Sequence, residues 1–356
     1  MIINPNTRFT LNLLLGSLLI IMTAFSIASM PSPIYSQRAP DSSSQNISNN
    51  PGNSTDSRIS VFQNNVYLVW TDDTTGNGDI YFKRSVDNGT TFAETENLST
   101  NNTSPSSGAQ ISAIGNNVYV VWQDMVSGSN EIFLRESNDG GNKFSGIKNL
   151  SRNNTGDSIT PRVAASGNNV FVVWTDSEPG KAQIYARAST DNAAKFGGIK
   201  NVSWSSARSY DPQIAVGGNN SLYILWEDTS FREFTFDLVL RASSDMASTF
   251  RDKVNIGRYV GEISDYGQIA VYGNNVFVVW GDSPQYSYPP VYKIFLEASR
   301  DNAKSFDDAI NLSTGTGKSI DPQLAVSEND RSIFVVWTEI TETNSDIQFT
   351  KLANFF

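Results

Sequence analysis

The chain has 356 residues, a formal net charge of −10 and neither cysteine nor histidine. Those absences exclude disulfides, thiol nucleophiles, imidazole bases and soft metal sites. A bound ion would need oxygen ligands, which points to Ca²⁺, and proton transfer would fall to Asp, Glu, Tyr or Lys. The acidic balance repels phosphate, so nucleic acid is not an expected partner.

The first element is a targeting segment. Arg8 is its only charge, an apolar run extends from Phe9 to Met30, and Ser26-Ile27-Ala28 offers a small-x-small cleavage pattern. Residues 1–36 therefore read as a signal peptide or, if uncleaved, an N-terminal membrane anchor, and the protein is expected to be secreted or held at the cell surface. Residues 37–44 are a Ser/Asn-rich linker with little to bury.

From residue 45 to 356 one phrase recurs, a hydrophobic run ending in Trp-x-Asp. Its tryptophans are Trp70, Trp122, Trp174, Trp226, Trp280 and Trp337, at spacings of 52, 52, 52, 54 and 57. A fixed period of this length is the mark of a repeat array or propeller. The third repeat is the cleanest. Arg162 to Ala165 predicts a short strand, and Gly167-Asn168-Asn169 a hairpin turn. Val170 to Trp174 is nearly all apolar, as a strand covered on both faces must be. Gln183 to Ala188 predicts a third strand, Ser189 to Phe196 a turn, and Lys200 to Ser203 a short outer strand. Nothing has a helical period. The pattern predicts an all-β, six-bladed β-propeller of four-stranded antiparallel blades. The sixth repeat lacks an outer strand. Gln45-Asn46-Ile47-Ser48 matches the outer-strand phrase at Asn97, Asn149, Asn201 and Asn311, so it is expected to close the last blade and remove its open edge.

About fifteen residues after each of the first five tryptophans comes Ser-x-Asp-x-Gly/Ala-x-x-Phe, centred on Asp87, Asp139, Asp191, Asp245 and Asp301. Five copies in register resemble the Asp-box, or BNR repeat, of sialidase-like proteins. The resemblance spans roughly residues 45–352 and implies a structural turn between the third and fourth strands of each blade. It also implies a functional face on the opposite side. That face would carry the acidic residues after each Trp (Asp72, Asp124, Asp176, Asp228, Asp282, Glu339), read as turn caps or as a ring for cations or hydroxyls. It would also carry the residue opening each innermost strand: Arg58, Gln110, Arg162, Gln213, Gln268 and Gln323.

Sialidases hold a carboxylate with three arginines and use a Tyr paired with a Glu, and an Asp acid/base. Ser57-Arg58-Ile59-Ser60 stands where that family opens its first blade with Arg-Ile-Pro, with Ser for Pro. Arg162 is a second guanidinium, and Tyr210, Tyr266, Glu262 and Asp265 are available. Arg208, Arg232 and Arg258 lie in loops that could supply the third. The long loops of blades four and five add Phe231, Arg232, Tyr286 and Tyr288, aromatics of the kind that stack on sugars or partners. Two readings follow. The first is an exported non-catalytic propeller that binds a glycan or a surface protein, needs no cofactor, and touches a membrane only through its N-terminal segment. The second is an exo-sialidase-type glycoside hydrolase using Arg58, Arg162, Tyr210, Glu262 and Asp265.

Overall fold

The computed structural model describes residues 44–100, 104–126, 128–152, 156–177, 180–218, 221–230, 236–257, 263–283, 291–327 and 329–356. The chain divides into two compact units, Met1–Ile47 and Ser48–Phe356. The expected signal segment lies outside the described residues. Among those that are described, no helix is long and apolar enough to cross a membrane.

All strands belong to the second unit. Blade one is β1 (Ser54–Phe62), β2 (Asn65–Asp72), β3 (Asp79–Ser85) and β4 (Glu96–Asn97). Blade two is β5 (Ser106–Ile114), β6 (Asn117–Val126), β7 (Ser129–Ser137) and β8 (Lys148–Asn149). Blade three is β9 (Ser158–Ser166), β10 (Asn169–Asp176), β11 (Gln183–Ser189) and β12 (Lys200–Asn201). Blade four is β13 (Ser209–Val216), β14 (Leu222–Asp228), β15 (Asp237–Ser243) and β16 (Val254–Ile256). Blade five is β17 (Ile263–Tyr272), β18 (Asn275–Ser283), β19 (Lys293–Ser299) and β20 (Ile310–Asn311). Blade six is β21 (Lys318–Ser327), β22 (Ser332–Ile340) and β23 (Ser345–Leu352). Neighbours pair antiparallel in chain order, and the Trp-bearing second strand lies between the first and third. That position explains its composition: every residue of β10 is buried, so nearly every one is apolar.

Two features depart from the expected pattern. The sixth sheet has three strands, and residues 45–48 carry no strand in the structure. Outer strands elsewhere are runs of two or three residues, so this is the least firmly tied element of any blade. The inner strands also start earlier than expected. A serine stands four residues before each ring residue (Ser54, Ser106, Ser158, Ser209, Ser264, Ser319), and the strand already includes it. Between serine and ring residue the register slips in every blade. Asp56, Gly108, Thr160, Asp211, Tyr266 and Asp321 take positive φ there, from 48° to 66°. This is a β-bulge repeated around the array.

The acidic residue after each Trp explains the bulge. Asp176 accepts from the Trp174 indole at 3.2 Å and from Ser158 Oγ at 2.9 Å. Asp72, Asp228 and Asp282 make the same pair of bonds, and Glu339 a longer version at 3.5 Å. These carboxylates are turn and strand ties. They are spent inside the blade and do not form an open acidic ring.

Each Ser-x-Asp phrase is likewise closed on itself. Ser189 Oγ donates to Asp191 Oδ1 at 2.7 Å, and Lys195 N–H donates to the same oxygen at 2.9 Å. Asp87, Asp139, Asp245 and Asp301 repeat this arrangement. Three of these turns hold Ala at positive φ where the first two hold Gly: Ala193 at 63°, Ala247 at 59° and Ala303 at 59°. Their methyls are buried in the cores between blades, which offsets the backbone cost.

One apolar cluster fills each seam from blades one and two through blades five and six. In the last, Phe356 packs on Phe277 and Tyr272. A guanidinium staples three of the seams. Arg187 donates to Gly197 O at 2.8 Å, to Phe196 O at 3.2 Å, and back to Leu150 O of the preceding blade at 3.0 Å. It also lies over the Phe196 ring at 5.8 Å. Arg135 and Arg241 do the same one blade before and after. In blade five Glu297 takes this position, accepts from Gly257 N–H at 3.1 Å, and is pushed up to about 7 by burial.

Arg187→Ala leaves three carbonyls without their donor and is expected to cost about 2–4 kcal/mol. Arg187→Lys should recover little, because one ammonium cannot span the three acceptors. The urea midpoint of each variant against wild type measures this, and a loss below about 0.5 kcal/mol for the alanine variant would refute the staple.

Candidate functional site

The bulges of blades four and five, with the wall of blade three, enclose a cavity of about 210 Å³. Arg162, Asp211, Gln213, Glu227, Asp265, Tyr266 and Gln268 supply its polar lining, and Leu225, Trp226 and Leu238 its floor. The bulges place these groups. Asp211 and Tyr266 are the positive-φ residues of their strands, at 48° and 58°.

Glu227 occupies the variable position of Trp-x-Asp. The other blades place Thr71, Gln123, Thr175, Gly281 and Thr338 there, so the fold does not call for a carboxyl group. It is 8% exposed and faces Tyr210 across the β13–β14 pair. Burial pushes its carboxyl far above the ordinary range. A hydrogen bond with Asp265 and the charges of Asp265 and Asp211 push the same way, against a bond from the Tyr266 N–H. Glu227 is therefore the protonated member of the pair and donates to Asp265, a carboxyl group held neutral at neutral pH. Asp211 stands at the mouth, raised by burial and by Asp265 and opposed by Arg162.

Gly281, opposite Asp265, makes room for this. A Cβ there would meet Tyr266 at 3.3 Å and Tyr292 at 3.5 Å. Those two rings pack edge to face at 5.8 Å, as Tyr210 and Phe236 do at 6.2 Å on the neighbouring blade. The surrounding carboxylates disfavour both phenolates: Tyr292 is pushed up to about 12 by burial and Asp265, and Tyr266 is raised by the same causes.

Arg162 is half-buried. Its Nε donates to Gln213 Oε1 at 3.3 Å and one terminal nitrogen to Pro161 O at 3.1 Å. Burial lowers it and Asp211 supports it. Among the described residues, no group of three or more side chains is placed to hold a metal ion. A larger open groove of about 420 Å³ lies on the opposite side, between blades three and four, and its carboxylate, Asp191, is spent in its own turn.

No protein-family model and no curated relative matches the chain. Solved structures do. A protein of unknown function from Dyadobacter fermentans aligns with TM-score 0.56 at 11% identity, over 86% of this chain and 96% of that one. The NanB sialidase from Streptococcus pneumoniae aligns at 0.55 and 9% identity, over 84% and 68% of the two chains. The Penicillium chrysogenum alpha-L-arabinanase, solved with arabinobiose, aligns at 0.52 and 13%, over 84% and 93%. The chain has a sialidase-like propeller fold.

Within this propeller the expected residues separate. Arg162, Gln213, Asp265 and Gln268 line the cavity. Arg58 is exposed on blade one and donates to Ser57 O at 2.9 Å, although its charge is felt at Arg162. Gln110 and Gln323 lie outside the lining, and Tyr210 borders it through Glu227. Arg208 is the loop arginine that the structure describes, and it reaches the Tyr210 hydroxyl at 3.5 Å. Glu262, Phe231, Arg232, Arg258, Tyr286 and Tyr288 lie outside the described residues. Sequence reasoning missed Glu227 and Asp211. The signal was present: aligning the six Trp-x-Asp phrases leaves Glu227 as the one acid at x.

The raised Glu227 pKa has a stability consequence. Its favourable contribution is complete below the unfolded value of about 4.3 and is lost as pH rises toward the folded value. Glu227→Gln keeps the shape without that cost. Its melting temperature relative to wild type should climb steadily from pH 4 to pH 8, and a flat or falling difference in calorimetry would contradict the protonated assignment.

Proposed function

We propose that the protein is a glycan-processing propeller whose cleft on blades three to five acts as a glycosidase-type acid site. The observation that carries this is the buried, proton-sharing Glu227–Asp265 pair, at a position where the repeat asks for no carboxyl group. In this reading Glu227 donates its proton to the glycosidic oxygen as the bond to the leaving sugar breaks. The Tyr266 N–H then stabilises the new carboxylate. Asp211, open at the mouth, takes a proton from the incoming water, and Arg162 orients the sugar. No cofactor enters. Tyrosine attack of the sialidase kind is not part of the proposal: protonated Glu227 cannot accept the phenol's proton, and the nearby carboxylates oppose a phenolate.

A second reading is that the same cleft binds a glycan without turnover. One observation favours it. The direct Glu227–Asp265 hydrogen bond holds those carboxyl groups closer than the roughly 5 Å of retaining glycosidases, so the pair acts as one acid. We also propose export to the cell surface or beyond through residues 1–36, and closure of blade six by Gln45–Ser48.

The test is turnover of an aryl-glycoside panel that includes an α-L-arabinofuranoside and a sialoside. Glu227→Gln is expected to reduce kcat about 10²–10⁴-fold, and wild-type activity should fall on the alkaline side as Glu227 ionises. No turnover on any member, with glycan-array binding abolished by Arg162→Ala, would select the binding reading. No turnover and no binding would refute both.

A further inference from the structure

The chain has seven tryptophans, and six of them are the buried Trp-x-Asp/Glu residues, none more than 6% exposed. The seventh, Trp204, is 76% exposed. It follows β12, in the turn that leads from the outer strand of blade three to the inner strand of blade four. Its N–H donates to Asn201 Oδ1 at 2.8 Å, and its φ is 40°. Thr100 and Arg152 are held in the same way by Asn97 and Asn149. The backbone is the repeat's, but the side chain is not: the matching residues after the other outer strands are Thr100, Arg152, Arg258 and Thr314. A second departure fixes the turn behind the ring. Opposite the tie carboxylate, every other third strand opens with a charged residue (Asp79, Glu131, Asp237, Lys293, Asp346), whereas blade three has Gln183. Gln183 is buried, accepts from Ser203 Oγ and from Ser205 N–H at 2.9 Å each, and donates to Ala207 O at 2.8 Å. A carboxylate could not donate to that carbonyl, and an ammonium could not accept from that N–H. Ser205 Oγ also donates to Asp228 at 3.1 Å, and Lys181 to Ser206 O at 2.7 Å.

We infer that Trp204 is an outlying sugar-stacking platform: its indole holds one ring of a glycan chain while another unit of that chain enters the cleft among Arg162, Asp211 and Glu227. This rests on the glycan reading of the cleft proposed above. The turn that carries Trp204 runs directly into the cleft wall. Arg208 reaches the Tyr210 hydroxyl at 3.5 Å, and Asp211 lines the cavity. From Trp204 to Asp211 the chain advances 7 residues. Their backbones are therefore at most about 25 Å apart, a gap that a short oligosaccharide spans. The surroundings of the ring select its partner. Ser206 and Arg208 are exposed beside it. A protein or lipid surface would call for a contiguous apolar patch. A sugar offers one apolar face rimmed by hydroxyl groups, which suits a single flat ring edged with hydrogen-bonding groups. The bonds from Gln183, Ser205 and Lys181 set the turn before any ligand arrives, so contact costs little ordering entropy.

Because the other six tryptophans are buried, acrylamide quenching of the full chain reads Trp204. Wild type is titrated with arabinan, galactan, mannan and polysialic acid, and with the disaccharide of each. Retention in gels containing each polysaccharide gives its affinity. At least one polysaccharide is expected to slow the quenching where its disaccharide does not. Trp204→Ala should weaken retention by that polysaccharide about tenfold and leave disaccharide affinity within about twofold, and Trp204→Tyr should recover most of the loss. Retention that the alanine variant leaves unchanged, with quenching also unchanged, would overturn the platform and leave the glycan reading of the cleft standing. Absence of retention on all four would overturn the platform as well, while the glycoside panel above judges the cleft separately. Protection of Trp204 by phosphatidylcholine vesicles and by none of the polysaccharides would assign the ring to a membrane surface and overturn the inference.

Discussion

The structure depends on one short tie, from the carboxylate after five of the six tryptophans to the indole behind it and the serine that begins the inner strand; in blade two Asp124 accepts from its serine. A buried carboxylate needs such donors, because leaving it without them costs more than the fold can spare. The tie fixes both ends of the inner strand's first turn. One extra residue must then fit between serine and ring residue, and it does so as a bulge with positive φ. Those bulges place side chains in the wall of the cleft. The cleft is thus a by-product of how the blades are closed, and what it contains is decided by whichever residue occupies the bulge.

Much of this was legible from period alone. The six tryptophans, the alternation of Gln183 to Ala188 and the near-unbroken apolar run at Val170 to Trp174 carry the blade count and strand identity, because burial on two faces leaves no freedom of composition. The functional part was less legible for a physical reason. Reading along one repeat reveals what every blade shares, and shared residues here are structural. Glu227, Gly281 and Tyr266 are departures from the repeat, visible only when its copies are compared position by position. The serine four residues before each ring residue was equally regular, but without the carboxylate beside it in space nothing in its chemistry marked it as a partner.

The same contrast explains why the site sits in one sector. Blades one to three keep Thr or Gln beside the Trp and leave their bulges to Asp56, Gly108 and Thr160. Blades four and five abandon that pattern together, one adding a carboxyl group and the other deleting a side chain to admit two tyrosines. Local rules are broken where chemistry replaces packing as the constraint. The buried acid is a strain the surrounding blades must absorb, and the carbonyl staple of Arg241 holds the seam on one side of its blade.

Those staples are not equal. Arginine keeps its charge at any ordinary pH, so the seams it holds are indifferent to acidity. The seam between blades four and five is held instead by Glu297, whose carboxyl is pushed up to about 7 by burial. Protonated, it sits in the seam at no electrostatic cost; ionised, it is a buried charge opposed by the nearby Asp308. As pH rises through about 7 this seam loses stability that the three arginine-held seams keep. One seam of the array therefore answers to pH where its neighbours do not.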